Sequence, residues 1–501
     1  MRACAFLNDP KLLSLIFLLW IGAASPHPSL AQINDEWTSE FSTVGIFSSP
    51  RAADLDLDGV KDLIVGAGRL EFQQTDSAVI AVSGATGEML WNVSARDQIF
   101  GSAVLKRINK DDVPDVVIGG RSAVLKAIDG RNGHILWEFF PDADSLELNT
   151  RGFFNFYNPQ FIPDQNSDGK DDILVSNGGD VTAAPDDLDR PAGKLMIIDG
   201  QLGTLLYSAM MPDGKETYMS PLVARMHQEE EELTIIFGTG GETIGGHLYS
   251  TTLSALKNQD ISGAAILASS ESKGFIAPPV LADITGDGYY DIVANAVDGR
   301  MLAVNGRNNK MLWQTTIENA EAYSSIAVGH FDSDSTPDFF STYGLGAWPD
   351  LLGSKQVMVN GKTGEITFQD SVGILQTSSP AVADFNSDGF DDALLSVNFV
   401  IVEKRIFKIM HNMLVVFDFH KDNIYQLSDY QPGVNLSSTP WVGDLDGNGK
   451  LDIVFCSMTE TRNTTSMNGF RMTRLSTDIV ITSEIKWGAY MGSEYNGIYN
   501  E

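Results

Sequence analysis

The chain has 501 residues, and its 66 acidic residues outnumber its 34 basic residues, which gives a formal net charge of −32. Nucleic acids and anionic membrane surfaces are bound through positive patches, so this charge argues against both as partners. The only cysteines are Cys4 and Cys456. Because Cys4 lies in the N-terminal segment described next, we expect no disulfide in the mature chain.

The first 31 residues have the pattern of a secretory signal peptide. Arg2 and Lys11 flank an apolar run at residues 12–24, and the small residues of Ser29-Leu30-Ala31 fit a cleavage point. The run is shorter than the roughly 20 apolar residues that span a bilayer, and an uncleaved signal anchor is the alternative. We predict a signal peptide at residues 1–31 and a single domain at residues 32–501. This predicts a periplasmic, cell-surface or extracellular location.

A nine-residue acidic loop occurs five times in the rest of the chain. Its first copy, Asp54 to Asp62, has carboxylates at positions 1, 3, 5 and 9, and Gly59 at position 6 allows a sharp turn. Position 7 offers its backbone carbonyl. Ca²⁺ prefers six to eight such oxygen ligands, whereas Mg²⁺ demands stricter octahedral geometry. An acidic turn without metal is the alternative. The predicted calcium ligands are Asp54, Asp56, Asp58, Val60, Asp62, Asp164, Asn166, Asp168, Lys170, Asp172, Asp283, Thr285, Asp287, Tyr289, Asp291, Asp384, Asn386, Asp388, Phe390, Asp392, Asp444, Asp446, Asn448, Lys450 and Asp452.

Three eroded copies of the loop complete a series of eight. They begin at Arg107, Arg225 and His330, and successive loops start 47 to 61 residues apart. A period in this range is typical of solenoids, propellers and arrays. Each repeat also contains short apolar strands. Most repeats contain a hairpin such as Ser83 to Trp91, whose glycines suit a tight turn. Four short strands per repeat without helical periodicity predict an all-β propeller of eight four-stranded blades, with seven as the alternative.

Two of the eroded loops carry arginine where the intact loops carry the first ligand. We expect each guanidinium to replace the ion, Arg107 by pairing with Asp111 or Asp115 and Arg225 by pairing with Glu229. The loop at residues 330–338 keeps three carboxylates, so its metal binding stays open.

The acidic loops and their flanking strands resemble the FG-GAP and VCBS repeats of integrin-alpha-like β-propellers. The Thr-Gly hairpins that end in tryptophan resemble the repeats of quinoprotein and outer-membrane-assembly propellers. The resemblance covers residues 44–490 and implies a propeller with bound Ca²⁺, but it does not identify a function, because this scaffold hosts many unrelated roles. The closing stretch, 487–499, resembles a propeller terminus, and we expect it to pair as a strand with the first blade.

Strand alternation predicts that all the acidic loops lie on one face of the propeller. These loops join the first and second strands of a blade, and the glycine hairpins join the third and fourth. The opposite face then holds the long insertions, at residues 141–158, 178–193, 211–219, 238–246 and 343–356. Long loops on a rigid scaffold commonly carry binding groups. The candidate ligand-binding residues there are Arg151, Tyr157, Glu216, Tyr218, Glu242 and Trp348, with ordinary loop packing as the alternative.

The sequence favours recognition of a protein or carbohydrate ligand over catalysis. It lacks the adjacent cysteines expected of a quinoprotein dehydrogenase, a zinc-type histidine pair, a Gly-x-Ser-x-Gly motif and a P-loop. We therefore predict an exported, calcium-stabilised recognition module rather than an enzyme. One alternative is a polysaccharide lyase or hydrolase with its site in the central funnel, using carboxylates such as Glu216 and Glu242. The other is a scaffold in envelope assembly.

Overall fold

The computed structural model of the protein contains eight antiparallel sheets. It describes residues 32–140, 147, 151–180, 183–184, 187–347, 351–375, 378–403, 407–464 and 466–500. Each sheet is one blade of a propeller, so the predicted all-β, eight-bladed fold is confirmed. The predicted signal peptide lies outside the described residues. Across the part of the chain that is described, no helix is long and apolar enough to cross a bilayer.

The strands are numbered β1–β35 in chain order, and the strands of each blade are given from the inside outwards. Blade 1 contains β2 (Arg51–Ala53), β3 (Asp62–Gly66), β4 (Thr75–Val82) and β5 (Met89–Ala95). Blade 2 contains β6 (Val104–Lys106), β7 (Asp115–Gly119), β8 (Leu125–Ile128) and β9 (Ile135–Glu138). Blade 3 contains β10 (Asn155–Phe156) and β11 (Gln160–Ile162), which both pair with β12 (Asp172–Gly178), then β13 (Lys194–Ile198) and β14 (Leu205–Met210). Blade 4 contains β15 (Leu222–Ala224), β16 (Thr234–Gly238), β17 (Gly246–Thr252) and β18 (Ala265–Ser270), with the short helix α1 (Leu253–Lys257) before β18.

Blades 5 to 8 continue the same order around the axis. Blade 5 contains β19 (Val280–Ala282), β20 (Asp291–Ala296), β21 (Arg300–Val304) and β22 (Met311–Thr316). Blade 6 contains β23 (Ala320–Glu321) and β24 (Ala327–Gly329), which both pair with β25 (Asp338–Leu345), then β26 (Gly353–Val359) and β27 (Ile366–Asp370). Blade 7 contains β28 (Ala381–Ala383), β29 (Asp392–Glu403), β30 (Phe407–Asp418) and β31 (Asn423–Gln426), and β32 (Gln431–Pro432) also pairs with β30. Blade 8 contains β33 (Trp441–Gly443), β34 (Lys450–Met458), β35 (Gly469–Val480) and β1 (Ile33–Ser42).

The hydrophobic core lies between neighbouring blades. In β3, the side chain of Ile64 packs with Val116 of blade 2, whereas Leu63 and Val65 pack with Val454 of blade 8. All three β3 side chains are completely buried. A second strand covered on both faces in this way needs a continuous apolar run, which is the pattern that follows each acidic loop in the sequence.

Tryptophans of the outermost strands attach four of the blades to the hairpin of the next blade. The indole Nε1 of Trp91 donates to the carbonyl of Gly130 at 2.8 Å, and Trp137 donates to Gly200 at 2.9 Å. The hairpin glycines allow this approach, since Gly203 has φ +68° and a Cβ there would lie 2.4 Å from the Trp137 ring. Trp37 of β1 makes the same bond, at 2.8 Å, from blade 8 to Gly84 of blade 1. The N-terminal strand is therefore a true fourth strand of the last blade.

The ring is closed by this N-terminal strand, and the prediction that residues 487–499 pair as a strand with blade 1 is wrong. β1 pairs along β35, from Ile33 opposite Thr477 to Ser42 opposite Gly469. The C-terminal segment crosses the propeller axis instead. The physical reason is that the first strands of the blades have unpaired amides facing the channel, and the C-terminal segment satisfies several of them. The amides of Val382, Val442 and Leu281 donate to the carbonyls of Trp487, Gly488 and Gly497, at 2.8, 2.6 and 2.9 Å.

A belt of small polar side chains links the blades on the other side of this segment. Two residues before the first strand of most blades, a hydroxyl or amide oxygen accepts the backbone N–H of the equivalent residue in the preceding blade. The links are Ser49 N to Ser102 Oγ (2.9 Å), Ser102 N to Asn158 Oδ1 (2.8 Å), Asn158 N to Ser220 Oγ (3.2 Å), Ser325 N to Ser379 Oγ (2.9 Å) and Thr439 N to Ser49 Oγ (3.0 Å). These bonds explain the serine or threonine that precedes most of the acidic loops, because buried amides need acceptors.

Candidate functional site

The acidic loops and the glycine hairpins lie on the same face, as the sequence predicts. The aspartate at loop position 9 joins the two. In blade 1, Asp62 accepts the amide of Leu55 in its own loop at 2.8 Å and the amide of Gly84 in the hairpin at 3.0 Å. Burial raises the pKa of Asp62 to about 6, although both amides act against that shift. A cation beside this carboxylate would favour its charged form.

Backbone amides of each intact loop surround its first aspartate. Asp54 accepts the amides of Leu57 at 2.7 Å and Gly59 at 3.2 Å, and Asp283 accepts those of Gly286 at 2.7 Å and Gly288 at 2.8 Å. At position 7, the residue donates its amide to the side chain at position 5. These donors are Val60 (2.8 Å), Lys170 (2.8 Å), Tyr289 (3.0 Å), Phe390 (3.0 Å) and Lys450 (2.8 Å). The five loops therefore share one backbone conformation.

Two of the loops bring three carboxylates close enough to share a cation. Ligand oxygens of Asp54, Asp56 and Asp58 lie within 4.8 Å of one another. The same is true of oxygens of Asp444, Asp446 and Asp452 in blade 8. Calcium–oxygen distances are about 2.3–2.6 Å, so oxygens on opposite sides of an ion are about 5 Å apart. An all-oxygen donor set of this spread fits Ca²⁺.

The other three loops have an amide or hydroxyl at position 3, and nearby cations partly neutralise two of them. In blade 3, Asn166 donates from Nδ2 to Asp199 at 2.9 Å. In blade 5, the Arg307 guanidinium lies 3.8 Å from Asp287, and in blade 7, Lys421 lies 2.8 Å from Asp388. Both cations are about half exposed or more, so an ion could displace them at little cost.

Arginines do contact ligand positions of acidic loops, but they are not the arginines that the sequence predicted. In the second repeat, Arg131 of the hairpin lies 3.5 Å from Asp111. Arg107 lies 3.9 Å from Asp112, not beside Asp111 or Asp115, so that prediction is wrong. The reason is that Asn109 Nδ2 already donates to Asp115 at 3.0 Å inside this loop.

The fourth-repeat arginine is not placed as predicted either. Arg225 is exposed, and its guanidinium forms no ion pair within 4 Å among the described residues. In blade 8, Arg474 instead donates to Asp446 at 2.7 Å and to Asp452 at 2.9 Å. The guanidinium therefore contacts two of the predicted calcium ligands of an intact loop.

The insertion-bearing face brings four of the predicted ligand-binding residues together. The Tyr218 hydroxyl donates to Glu216 Oε2 at 2.8 Å, and the rings of Tyr157 and Tyr218 meet edge to face at 6.1 Å. Gly241, next to Glu242, lies against both Glu216 and Tyr218, and the Glu242 charge acts on Tyr157, Glu216 and Tyr218. The sequence missed Arg190, whose Nη1 is 3.3 Å from Glu216. Burial raises the pKa of Glu216, and Tyr218 and Arg190 counteract this.

A second unit of the same chemistry lies two blades further around the face. Glu321 Oε1 is 2.6 Å from Lys273 Nζ, and the Tyr323 hydroxyl donates to Glu321 Oε2 at 2.6 Å. The sequence analysis missed these three residues. The signal was present, because a Glu-x-Tyr triplet begins six residues before β15 in blade 4 and six residues before β24 in blade 6, at Glu216 before Leu222 and at Glu321 before Ala327.

A cleft of about 310 Å³ opens at this second unit. It is lined by Ser272, Lys273, Asp298, Asn319, Ala320, Glu321, Gly346 and Ala347. Its volume lies at the lower end of the range for ligand sites, about 300–1,000 Å³. Glu242 lies between the two units, with its carbonyl accepting from Lys273 Nζ at 2.7 Å and its charge acting on Tyr323 and Tyr218. The face therefore presents a polar, mixed-charge cleft with a partly exposed carboxylate beside it.

Two predicted ligand-binding residues are not part of this group. Arg151 is exposed, pairs with Glu147 four residues before it in the chain, and lies over the Phe140 ring with 5.8 Å to its centre. Trp348 lies outside the described residues.

The central channel contains side chains of the C-terminal segment. Arg51 of β2 is completely buried there, donating to the carbonyl of Tyr490 at 2.7 Å, with its guanidinium 4.1 Å from the centre of the Tyr495 ring. Met491 and Trp487 are also buried. The channel at the level of the first strands is therefore filled by protein.

Comparisons with solved structures show the fold alone. A quinohemoprotein alcohol dehydrogenase from Pseudomonas putida matches with a TM-score of 0.57 at 10% identity, covering 92% of this chain and 80% of that one. A europium-containing methanol dehydrogenase matches with a TM-score of 0.57 at 11% identity, covering 89% and 93%. A quinohemoprotein alcohol dehydrogenase from Comamonas testosteroni matches with a TM-score of 0.55 at 10% identity, covering 90% and 78%. No protein-family model and no curated protein sequence match the chain. The chain thus has the eight-bladed propeller fold of these dehydrogenases, at an identity too low to extend the likeness to their function.

Proposed function

We propose that the protein is an exported, calcium-stabilised propeller that recognises a protein or glycan ligand through its insertion-bearing face. The observation that carries this proposal is the cleft beside Lys273 and Glu321, next to two buried Glu–Tyr–cation units. A rigid scaffold with a few fixed polar groups at a concave site is the usual design of a ligand site.

The side-chain environment supports recognition over catalysis. Glu216 is paired with Arg190 and Tyr218, and Glu321 is paired with Lys273 and Tyr323, so each of these carboxylates is already held by a cation and a hydroxyl of the protein. A general acid or base needs a carboxyl group that can exchange its proton with the substrate. Partnered carboxylates of this kind instead hold loops in place and present neighbouring groups to a ligand.

The acidic-loop face would then serve stability. The predicted ligands Asp54, Asp56 and Asp58 form a set of oxygens that fits one calcium ion, and four further loops repeat the pattern. An ion bound only by the folded chain stabilises it by mass action. The predicted signal peptide at residues 1–31 supports export to the periplasm, the cell surface or the extracellular space.

The polysaccharide-acting enzyme and the envelope-assembly scaffold are the rival functions. The enzyme alternative was expected to have its active site in the central funnel, but the C-terminal segment fills the channel at the level of the first strands. A scaffold would use the same exposed face, but its partner would be an envelope protein rather than a glycan. Screening the mature chain on a glycan array, and against envelope proteins in a pull-down, separates these possibilities.

A matched pair of variants tests which face binds. Ala347 lines the cleft and is exposed, and Ala85 is equally exposed at a hairpin on the opposite face. Ala347→Trp should fill the cleft and weaken binding of the captured ligand at least about tenfold, whereas Ala85→Trp should leave binding unchanged. Equal binding by both variants would contradict the proposed site. A wild-type chain that captures neither glycan nor protein, yet releases product from a polysaccharide, would favour the enzyme.

A further inference from the structure

The hairpin of blade 7 differs from its counterparts in the six other blades that have an aspartate at loop position 9. In five blades the amide of a hairpin glycine donates to Oδ1 of the aspartate at loop position 9. These glycines are Gly84 (3.0 Å), Gly130 (3.4 Å), Gly200 (3.1 Å), Gly306 (3.0 Å) and Gly361 (2.9 Å). In blade 8, Arg474 Nε fills the same role for Asp452 at 3.0 Å. The blade 7 hairpin, residues 418–422, contains no glycine.

As a result, one carboxylate oxygen in blade 7 has no donor. Asp392 is completely buried, and its Oδ2 accepts the amide of Phe385 at 2.9 Å. Its Oδ1 is also buried and has no hydrogen-bond partner among the described residues. An unsatisfied buried carboxylate oxygen costs the full desolvation energy of the group, so a missing partner is indicated.

The hairpin residue whose charge acts most strongly on Asp392 is itself an aspartate. Asp418 is 2% exposed, and its Oδ2 accepts from Nδ2 of Asn386, at loop position 3, at 2.9 Å. The charges of Asp418, Asp388 and Asp384 all act on Asp392. The nearest cation, Lys421, is 46% exposed and lies 2.8 Å from Asp388 and 3.9 Å from Asp418. One partly exposed ammonium cannot balance four buried or half-buried carboxylates.

We infer that Asp418 is a calcium ligand supplied from outside the loop, so that blade 7 binds its ion through the hairpin as well as through Asp384, Asn386, Asp388 and Asp392. This inference rests on the proposed calcium binding and adds a residue that the nine-residue pattern does not contain. The ion would complete the coordination of the orphaned Asp392 oxygen, and it would hold the hairpin to the loop where the glycine amide does so elsewhere.

Blade 3 supplies a matched control. Asp199 has the same hairpin position, is 3% exposed, and accepts from Asn166 Nδ2 at 2.9 Å, as Asp418 does from Asn386. There, however, Gly200 donates to Asp172 Oδ1 at 3.1 Å, so no oxygen is left without a partner. Asp199 is therefore not needed as a ligand, although its sequence context is almost the same.

Terbium luminescence on the mature chain, after removal of bound metal with a chelator, tests the inference. Tyr425 lies near the site, since the charges of Asp392, Asp418, Asp384 and Asp388 act on its hydroxyl. The Tb³⁺ emission that is lost in Tyr425→Phe therefore reports blade 7. Asp418→Asn should weaken the Tb³⁺ affinity measured from this emission at least about tenfold. Lys421→Met removes a competing cation and should strengthen the same affinity. Native mass spectrometry at a fixed free Ca²⁺ concentration should show one ion fewer for Asp418→Asn and none fewer for Asp199→Asn.

The outcomes separate this inference from the proposed function. If the wild-type chain binds Ca²⁺ and Tb³⁺ but Asp418→Asn and Asp199→Asn behave alike, the inference is overturned and calcium binding stands. If the wild-type chain binds neither ion, both fail. Should Asp418→Asn not fold, the Lys421→Met variant decides, because unchanged or weaker Tb³⁺ binding in that variant overturns the inference.

Discussion

The aspartate at loop position 9 allows the ion's contribution to stability to be separated from that of hydrogen bonds. Asp62 in blade 1 and Asp115 in blade 2 occupy the same position and are both completely buried. Asp62 accepts two backbone amides, at 2.8 and 3.0 Å. Asp115 accepts the amides of Ile108 at 2.7 Å and Asn109 at 2.8 Å, and also Asn109 Nδ2 at 3.0 Å and the amide of Gly130 at 3.4 Å. Only Asp62 belongs to a loop with the full set of calcium ligands.

The expected magnitudes follow from these contacts. A hydrogen bond to a charged group contributes about 1.5–3 kcal/mol, and the cost of burying the carboxylate offsets part of this. Without calcium, Asp62→Ala and Asp115→Ala should each lower the free energy of unfolding by about 3 kcal/mol. At free Ca²⁺ near 100 times the dissociation constant, a bound ion adds about 2.7 kcal/mol, which Asp62→Ala should also lose.

Denaturant unfolding of the mature wild type and both variants, in chelator and in calcium, measures these energies. Calcium should widen the gap between wild type and Asp62→Ala but leave the gap between wild type and Asp115→Ala unchanged. If calcium changes both gaps equally, or neither, the assignment of ions to the intact loops is wrong.

Three further predictions concern other parts of the propeller. Trp37→Ala should lower the free energy of unfolding by about 3 kcal/mol and make the N-terminal strand sensitive to limited proteolysis, whereas an unchanged digestion pattern would contradict the closure by β1. Arg474→Met leaves the buried Asp452 without its cation, so the variant should be less stable than wild type in chelator and recover in calcium, as thermal unfolding would show. Burial raises the pKa of Asp338 to about 7, with Asp332 and Asp334 adding to the shift. Since the folded state then holds the proton more tightly than the unfolded chain, the stability in chelator should fall as the pH rises from about 4 to 7, and Asp338→Asn should remove this slope.

The sequence predicts the blade number well because the acidic loop is strictly local. The side chains of Asp54, Asp56 and Asp58 accept amides that lie only two to five residues further along the same turn, so the pattern survives in a single sequence. Strand alternation then places the loops and hairpins on one face by geometry alone. The same reasoning places the long insertions opposite, where Glu216, Tyr218 and Glu242 meet.

Contacts between distant segments could not be predicted in this way. Trp37 bonds to Gly84 in another blade, and β1 pairs with β35 across more than 400 residues, so no local pattern reports the closure. The position of Arg107 depended on Asn109, which competes for the same carboxylate. The Glu-x-Tyr triplet at Glu321 is visible in the sequence. Recognising that it is equivalent to the triplet at Glu216 requires knowing where the following strands of the two blades begin.

The calcium content of the purified mature chain tests the central claim most directly. After gel filtration in buffer with low micromolar Ca²⁺, elemental analysis should find about five ions per chain, one for each intact loop, and chelation should lower the melting temperature. A chain that holds no calcium and melts at the same temperature with and without chelator would contradict the account.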